Sequence, residues 1–298
     1  MWLLLGALSA LLLGIYDVAK KVSLQKNAVI PVLFSSIVIS CLILSPLPIL
    51  SHYLPDTMKG TLLYVPPMDG RAHFYILLKS LLVLSSWLFG YFAMKHLPIT
   101  IVTPIEATRP LWTLLGALVI FSERLSPYQW IGVSVTLISF YLFSMVGKKE
   151  GVVFHNNKWV FFIILAALTG AASGLYDKFL MREFNRVGVQ VYYLFYQAII
   201  MGIITLFLWY PKRKTSTPFQ WRYSIIGISV FLTLADFVYF FALSDPDAMI
   251  SLLSTVRRAG VVVSFSIGAF VFREKNIKIK FICLAGVITG TLILLLGK

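Results

Sequence analysis

Charge is scarce in this 298-residue chain: Asp, Glu, Lys and Arg make up 13% of it, about half the share found in ordinary globular domains. With 59% apolar residues and a mean hydropathy of +0.86, there is too little polar surface to cover a water-soluble body, and a soluble enzyme is excluded. Cysteine is rarer still. Cys41 and Cys283 lie far apart in apolar stretches, so there is no C-x-x-C redox or zinc pair. The four histidines, His52, His73, His96 and His155, have no metal-ligand spacing among them, and the sequence implies neither metal nor cofactor. His52 and Asp56 spell an H-x-x-x-D in a proline-rich loop, a chance match, and no G-x-S-x-G, H-E-x-x-H or P-loop occurs. Acidic residues number 12 against 26 Lys and Arg, a net charge of +14. In a soluble protein that excess would suggest nucleic acid. Here most of the cations fall between apolar runs, where they orient membrane spans against anionic lipid, and nucleic acid is not an expected partner.

What the chain has in abundance is long apolar sequence. Ten windows, at 2–19, 28–50, 73–95, 98–121, 126–146, 158–180, 189–210, 223–244, 248–272 and 277–297, are each long enough to cross a ~30 Å hydrocarbon core. The expected fold class is all-α integral membrane with ten transmembrane helices. The first window follows Met1 without a basic leader and is longer than a signal-peptide core, so it reads as a retained span. The longest connection, 51–72, contains Pro55, Pro66, Pro67 and Gly70 and is expected to be irregular. Another, 211–222, carries the basic run Pro211-Lys212-Arg213-Lys214.

The chain repeats itself. Gly14-Ile15-Tyr16-Asp17 in span 1 recurs as Gly174-Leu175-Tyr176-Asp177 in span 6, and Ala93 and Arg109 in spans 3 and 4 recur as Ala242 and Arg258 in spans 8 and 9. The end of span 4, Phe121-Ser122-Glu123-Arg124, recurs as Phe272-Arg273-Glu274-Lys275. Two halves of five helices follow, 1–147 and 148–298. Because five is odd, the second enters the membrane in the opposite sense, giving inverted repeats of the kind common in transporters.

Ten spans in a five-plus-five repeat, the Tyr-Asp ending of spans 1 and 6, and the Glu-Arg or Glu-Lys ending of spans 4 and 9 resemble the EamA-type members of the drug/metabolite transporter superfamily. The resemblance covers the whole chain and implies a central cavity between the halves. The stretch Thr255-Val256-Arg257-Arg258, with the small and β-branched residues after it, resembles the ninth-helix motif of the triose-phosphate and nucleotide-sugar translocator branch. There a Lys-Arg pair grips the substrate phosphate, which implies an anion-binding role for Arg257 and Arg258.

An ionisable residue at membrane depth costs several kcal/mol unless it faces a bundle interior or wet cavity. Such residues are Asp17 in span 1, Lys79 in span 3, Glu106 and Arg109 in span 4, Asp177 in span 6, Asp236 in span 8, and Arg257 and Arg258 in span 9. Spans 1, 3, 4, 6, 8 and 9 are therefore expected to surround a polar cavity, with 2, 5, 7 and 10 as uncharged supports. Guanidinium is always charged and binds carboxylate or phosphate in bidentate fashion, so Arg109, Arg257 and Arg258 are the candidate substrate contacts. The competing reading pairs one of the arginines of span 9 with Asp236 or Asp177. Glu106 and Arg109 share a helix face and can pair with each other. Pro104 and Pro110 are expected to break span 4 beside them. Lys79 is a further candidate contact and could pair with Asp236. Tyr16, Tyr176 and Trp112 are the aromatic candidates for ligand contact. Asp17, Asp177, Glu106 and Asp236 are the candidates for coupling or gating, although Lys20 and Lys178 could instead hold Asp17 and Asp177 ionised as helix-end pairs. The superfamily's small multidrug branch keeps a proton-binding carboxylate in its first helix, which Asp17 resembles in kind.

The loops following odd-numbered spans carry about twice the Lys and Arg of the alternate loops, placing them in the cytoplasm and both termini outside. The family resemblance implies the reverse. The expected function is a secondary transporter in a bacterial inner membrane, moving a small anionic or zwitterionic metabolite by alternating access. An ion gradient such as protons, an exchanged solute or the substrate's own gradient would drive it. The alternatives are a flippase for a lipid or lipid-linked sugar, an exporter of drugs or amino acids on the same fold, and a membrane enzyme, for which no catalytic group is evident.

Overall fold

A computed structural model of the chain describes residues 2–109, 111–112, 126–149, 154–245, 248, 253, 256–257, 259–272 and 276–296. Apolar sequence in lipid must satisfy its backbone polar groups internally, and among the described residues the answer is helical throughout, with no strand. The helices are α1 (Trp2–Leu24), α2 (Val29–Leu44), α3 (Pro46–Tyr53), α4 (Pro55–Met58), α5 (Gly70–His96), α6 (Ile99–Glu106), α7 (Pro127–Lys149), α8 (Lys158–Glu183), α9 (Arg186–Ile204), α10 (Tyr223–Leu243), α11 (Gly260–Phe272) and α12 (Ile277–Leu296). Six stretches, Trp2–Leu24, Val29–Tyr53, Gly70–His96, Lys158–Glu183, Arg186–Lys212 and Tyr223–Leu243, are long and apolar enough to cross a membrane, and Trp130–Ser139 and Gly260–Phe272 are shorter apolar helices.

Local chemistry sets the ends. Asp69 caps α5 by accepting from the Ala72 N–H at 2.9 Å, and Asn185 caps α9 by accepting from the N–H groups of Val187 and Gly188, both at 3.0 Å. The connection expected to be irregular is instead helical at its start. Pro46 and Pro55 each stand in the first turn of a short helix, where the missing N–H costs nothing.

Two spans are interrupted near their charges. With Pro104 inside it, α6 stops at Glu106, and tight i→i−3 bonds follow, Thr108 N to Ile105 O at 3.1 Å and Leu111 N to Thr108 O at 2.9 Å. Just after Arg257 the same tightening recurs, Ala259 N to Val256 O at 3.0 Å and Val262 N to Ala259 O at 2.9 Å. Pro110 lies outside the described residues.

The bundle is interleaved. Helix α1 packs on α10 and α11, α8 packs on α5 and α6, α2 packs on α9 and α10, α9 also packs on α5, α6 meets α11, and α7 pairs with α12. Large side chains such as Leu4, Phe207 and Phe270 stay exposed, as on a lipid-facing surface. One expectation about the supports fails. Span 10 is not free of internal charge, because Lys280 on α12 is fully buried and donates to Thr100 Oγ1 at 2.8 Å. Its place near the start of an apolar window made it look like an interfacial residue.

Candidate functional site

The charged residues of the spans converge on one cavity of about 130 Å3. Asp17, Lys79, Glu106, Arg109, Asp177, Asp236 and Arg257 all line it, together with Lys20. Arg258, the other half of the dibasic pair, lies outside the described residues. The lining includes four acids and four bases, so the described wall is electrically neutral. Each acid is within ion-pair distance of a base, as burial in low dielectric demands.

The four pairs are built differently. Asp17 and Lys20 are one turn apart on α1, with Lys20 Nζ donating to Asp17 Oδ1 at 2.7 Å. Glu106 and Arg109 flank the break after α6, at 3.4 Å, and Arg109 Nη2 also reaches Ser86 Oγ on α5 at 3.5 Å. A Cβ added to Gly170 of α8 would lie 2.6 Å from Arg109 Cζ, so glycine at that position lets the guanidinium pass. Arg257 pairs with Asp236 on α10, donates from Nε to Ser9 Oγ at 3.1 Å, and lies over the Tyr239 ring at 4.1 Å from its centroid. Asp236 Oδ2 also accepts from the Tyr193 hydroxyl at 2.7 Å. Lys79 on α5 pairs with Asp177 on α8 and donates to Ser173 Oγ at 2.8 Å. Of the four, the Lys79–Asp177 pair joins the first half of the sequence to the second.

Helix α5 serves as a ruler for this array. Lys79 and Asp177 sit at one end, while Lys20 lies over the Tyr91 ring at 5.5 Å, a dozen residues further along. The two end pairs are therefore roughly 18 Å apart along the helix axis, with the Arg109 pair, which reaches Ser86, between them and the Arg257 pair joined through Asp236 to Tyr193, whose ring Lys79 faces.

Several expectations change. Lys79 does not pair with Asp236, because Asp236 faces Arg257 and Tyr193 while Lys79 faces Asp177. Lys178 does not hold Asp177, because its position on the helix carries the ammonium to the Ala248 carbonyl at 2.9 Å. Tyr176 is not in the lining. One residue before Asp177 is about 100° around the helix, and its hydroxyl donates to Tyr75 O at 3.2 Å. Trp112 is also outside it, its indole N–H donating to Thr108 Oγ1 at 3.0 Å. Tyr16 does line the cavity. Span 7, expected only to support, contributes Tyr193, and the serines Ser86 and Ser173 and the rings of Trp87 and Tyr91 complete the lining. A tyrosine in an aromatic cluster looks like packing until a carboxylate is found opposite its hydroxyl.

With this geometry in hand, the comparisons with known proteins are direct. The model of the EamA-like transporter family matches the chain twice, over residues 1–145 and 157–296. Curated relatives include the S-adenosylmethionine uptake transporters of Rickettsia conorii (strain ATCC VR-613 / Malish 7) and Rickettsia bellii (strain RML369-C). Both are 25% identical, with 81% of this chain aligned to 72% and 73% of theirs. A crystal structure of a protein 14% identical in sequence superposes at a TM-score of 0.64 over 98% of this chain and 95% of that one, a likeness of fold.

Proposed function

The chain belongs to the EamA-like transporter family, a family of multi-pass membrane proteins, and on that premise we propose that it is a secondary transporter of a small zwitterionic metabolite working by alternating access. The observation that carries this reading is the neutral cavity in which each acid already has a base. A lone phosphate or carboxylate that engaged Arg109 or Arg257 would strand Glu106 or Asp236 as a buried, unpaired charge, which is costly. A zwitterion that inserts into a pair offers a carboxylate to the base and a cation to the acid, so no charge is stranded. The relatives' named substrate, S-adenosylmethionine, has a carboxylate and an ammonium that can enter a pair in this way, and a sulfonium that gives it one net positive charge.

In this reading residues 1–147 and 148–298 are inverted repeats that rock about the cavity. Two matches of one family model support the division, and so does the exchange of packing partners: α1 with α10 and α11 answers to α8 with α5 and α6. The Lys79–Asp177 pair, which crosses between the halves, acts as a gate that opens as they move. Asp17, Glu106 and Asp236 are available for coupling. Arg257 and Arg109 orient the substrate carboxylate from the interrupted spans, with Arg258 next to Arg257 in sequence. A cavity of about 130 Å3 is smaller than the ~300–1,000 Å3 of sites that enclose drug-sized ligands, so a substrate of that size requires the rocking to widen it.

The test is thermal stability of detergent-purified protein, followed by uptake into proteoliposomes, with S-adenosylmethionine, methionine, a sugar phosphate and a lipid extract as probes. Zwitterions are expected to stabilise the wild type and to be taken up, and the Arg257→Gln/Arg258→Gln double variant to lose both responses. Stabilisation by sugar phosphate alone would return the anion reading, and stabilisation by lipid alone would favour a flippase.

A further inference from the structure

The inference that follows rests on the zwitterion reading and concerns the end of the cavity reached by α1. Lys20, 3% exposed, places its Nζ 2.7 Å from Asp17 Oδ1, 4.6 Å from the centroid of the Tyr16 ring and 5.5 Å from that of Tyr91. All four residues line the cavity. A carboxylate combined with two electron-rich ring faces is the environment that recognises an organic cation. We propose that Asp17, Tyr16 and Tyr91 form the docking site for the cationic centre of the substrate, an ammonium or sulfonium, and that Lys20 is a tethered cation that fills this site until the substrate displaces it.

Three features make Lys20, among the cavity bases, the one built to leave. Its ammonium has three donors and among the described residues makes one hydrogen bond, to Asp17, with the Tyr16 and Tyr91 ring faces and the charge of Glu106 near it. Lys79 is held by Asp177 and Ser173, and Arg257 by Asp236, Ser9 and the Tyr239 ring. Second, the neighbouring Lys21 does the fastening at this end, donating to the Met94 carbonyl at 2.8 Å and the Leu97 carbonyl at 2.5 Å, so Lys20 is not needed to tie α1 to α5. Third, Lys20 meets its acid within one helix; like Lys79, it has no counterpart in the repeat. The register that matches Asp17 with Asp177 sets Lys20 against Leu180, and the register that matches Ala93 with Ala242 sets Lys79 against Ile228, both fully buried apolar residues. Lys20 thus meets Asp17 from the same helix, on a four-carbon stem that can swing toward the helix end without the two halves separating. Selectivity follows: a substrate with a cationic centre can replace the ammonium, whereas an anion gains nothing by expelling it.

The experiment titrates choline chloride, against sodium chloride at equal ionic strength, into the purified full-length protein and reads thermal stability. Lys20→Met should bind choline about tenfold more tightly than wild type, as expected when a competitor that fills the site about nine-tenths of the time is removed. Lys20→Arg, which keeps a tethered cation, should behave as wild type. Asp17→Asn/Lys20→Met should lose the gain. Tyr91→Leu, which leaves the Asp17–Lys20 pair intact, should weaken choline binding severalfold, so the proposal stays testable if Lys20→Met fails to fold. No gain in Lys20→Met, a gain that survives the loss of Asp17, or indifference to Tyr91→Leu would overturn the cage. Failure of the underlying reading looks different: choline responses as described here, with no zwitterion taken up by any variant. If zwitterions are taken up and the choline responses are absent, the transporter stands and the cage falls.

Discussion

Asp17 and Asp177 occupy matching places in the repeat, yet Asp17 is paired by Lys20 on its own helix and Asp177 by Lys79 from the opposite half. The contrast extends to everything around them. Where α1 ends, hydrogen bonds rather than ion pairs join the halves among the described residues: the Ser23 and Ser224 hydroxyls meet at 2.6 Å, Asn27 Nδ2 donates to Gln220 O at 2.7 Å while its Oδ1 accepts from Gln220 N at 2.8 Å, and Arg222 Nη1 donates to Val22 O at 2.6 Å. The asparagine at the other end, Asn185, spends its side chain on capping α9. The tie there combines the Lys79–Asp177 pair and an exposed Arg71–Glu183 pair at 3.9 Å with hydrogen bonds across the halves, from Tyr176 to Tyr75 O, from Ser80 Oγ to Tyr193 O at 3.1 Å and between Tyr196 and His73 at 2.9 Å. The glycines differ too. A Cβ on Gly14 would fall 2.6 Å from Val263 Cβ and 2.7 Å from Gly260 O, whereas one on Gly174, which lines the cavity, meets nothing within 4 Å among the described residues. Both ends carry hydrogen bonds across the halves; the end of α1 adds close packing, and the other adds a buried ion pair between them.

The largest effect is expected at the charge-held end. Lys79→Ala leaves Asp177 buried without its base, which should cost about 3–5 kcal/mol, read as loss of thermal stability and of uptake. Lys79→Met/Asp177→Leu should recover most of the stability and none of the uptake. If the single variant is as stable as wild type, the pair is not what holds that end. Next come the glycines. Gly14→Ala should destabilise by about 1–3 kcal/mol through overpacking, while Gly174→Ala should stay within about 0.5 kcal/mol of wild type; equal costs would erase the contrast in packing. Asn27→Ala should cost about 1–2 kcal/mol and speed hydrogen exchange across residues 21–28, whereas Asn185→Ala should weaken only the first turn of α9, by about 1 kcal/mol. The smallest effect belongs to Arg71→Gln, expected within about 0.5 kcal/mol of wild type because the pair it breaks is exposed.

Much of the site was legible in the sequence because membrane-embedded charge is rare and has few places to go. Seven of the charged positions read from the spans line one cavity, and the break beside Glu106 and Arg109 was signalled by Pro104. Pairing was far less legible. Lys178 is adjacent to Asp177 in sequence but turned away from it, and Lys79 lies far off in sequence but opposite it. Tyr176 and Trp112 failed as cavity residues for the same reason, since closeness along the chain says little about the side of a helix that faces inward. Tyr193, Ser86, Ser173 and Gly170 gave no signal, because tyrosine, serine and glycine are common throughout such spans and acquire meaning only from the charge placed opposite them.

By itself the sequence determined that the chain is helical and embedded in a membrane, since a hydrocarbon core accepts little else from runs this apolar. It also pointed to seven charged positions that gather around one cavity, while missing the buried Lys280 outside it. The local pairs, Asp17 with Lys20 and Glu106 with Arg109, could be read from i,i+3 spacing, but only the tertiary structure decided that Lys79 meets Asp177 and Arg257 meets Asp236, because those partners belong to different helices and the Coulomb energy that selects them falls off within a few ångströms of contact. That packing alone made the two ends of a repeated sequence different, since of the two only the end at Lys79 and Asp177 has a buried ion pair across the halves among the described residues.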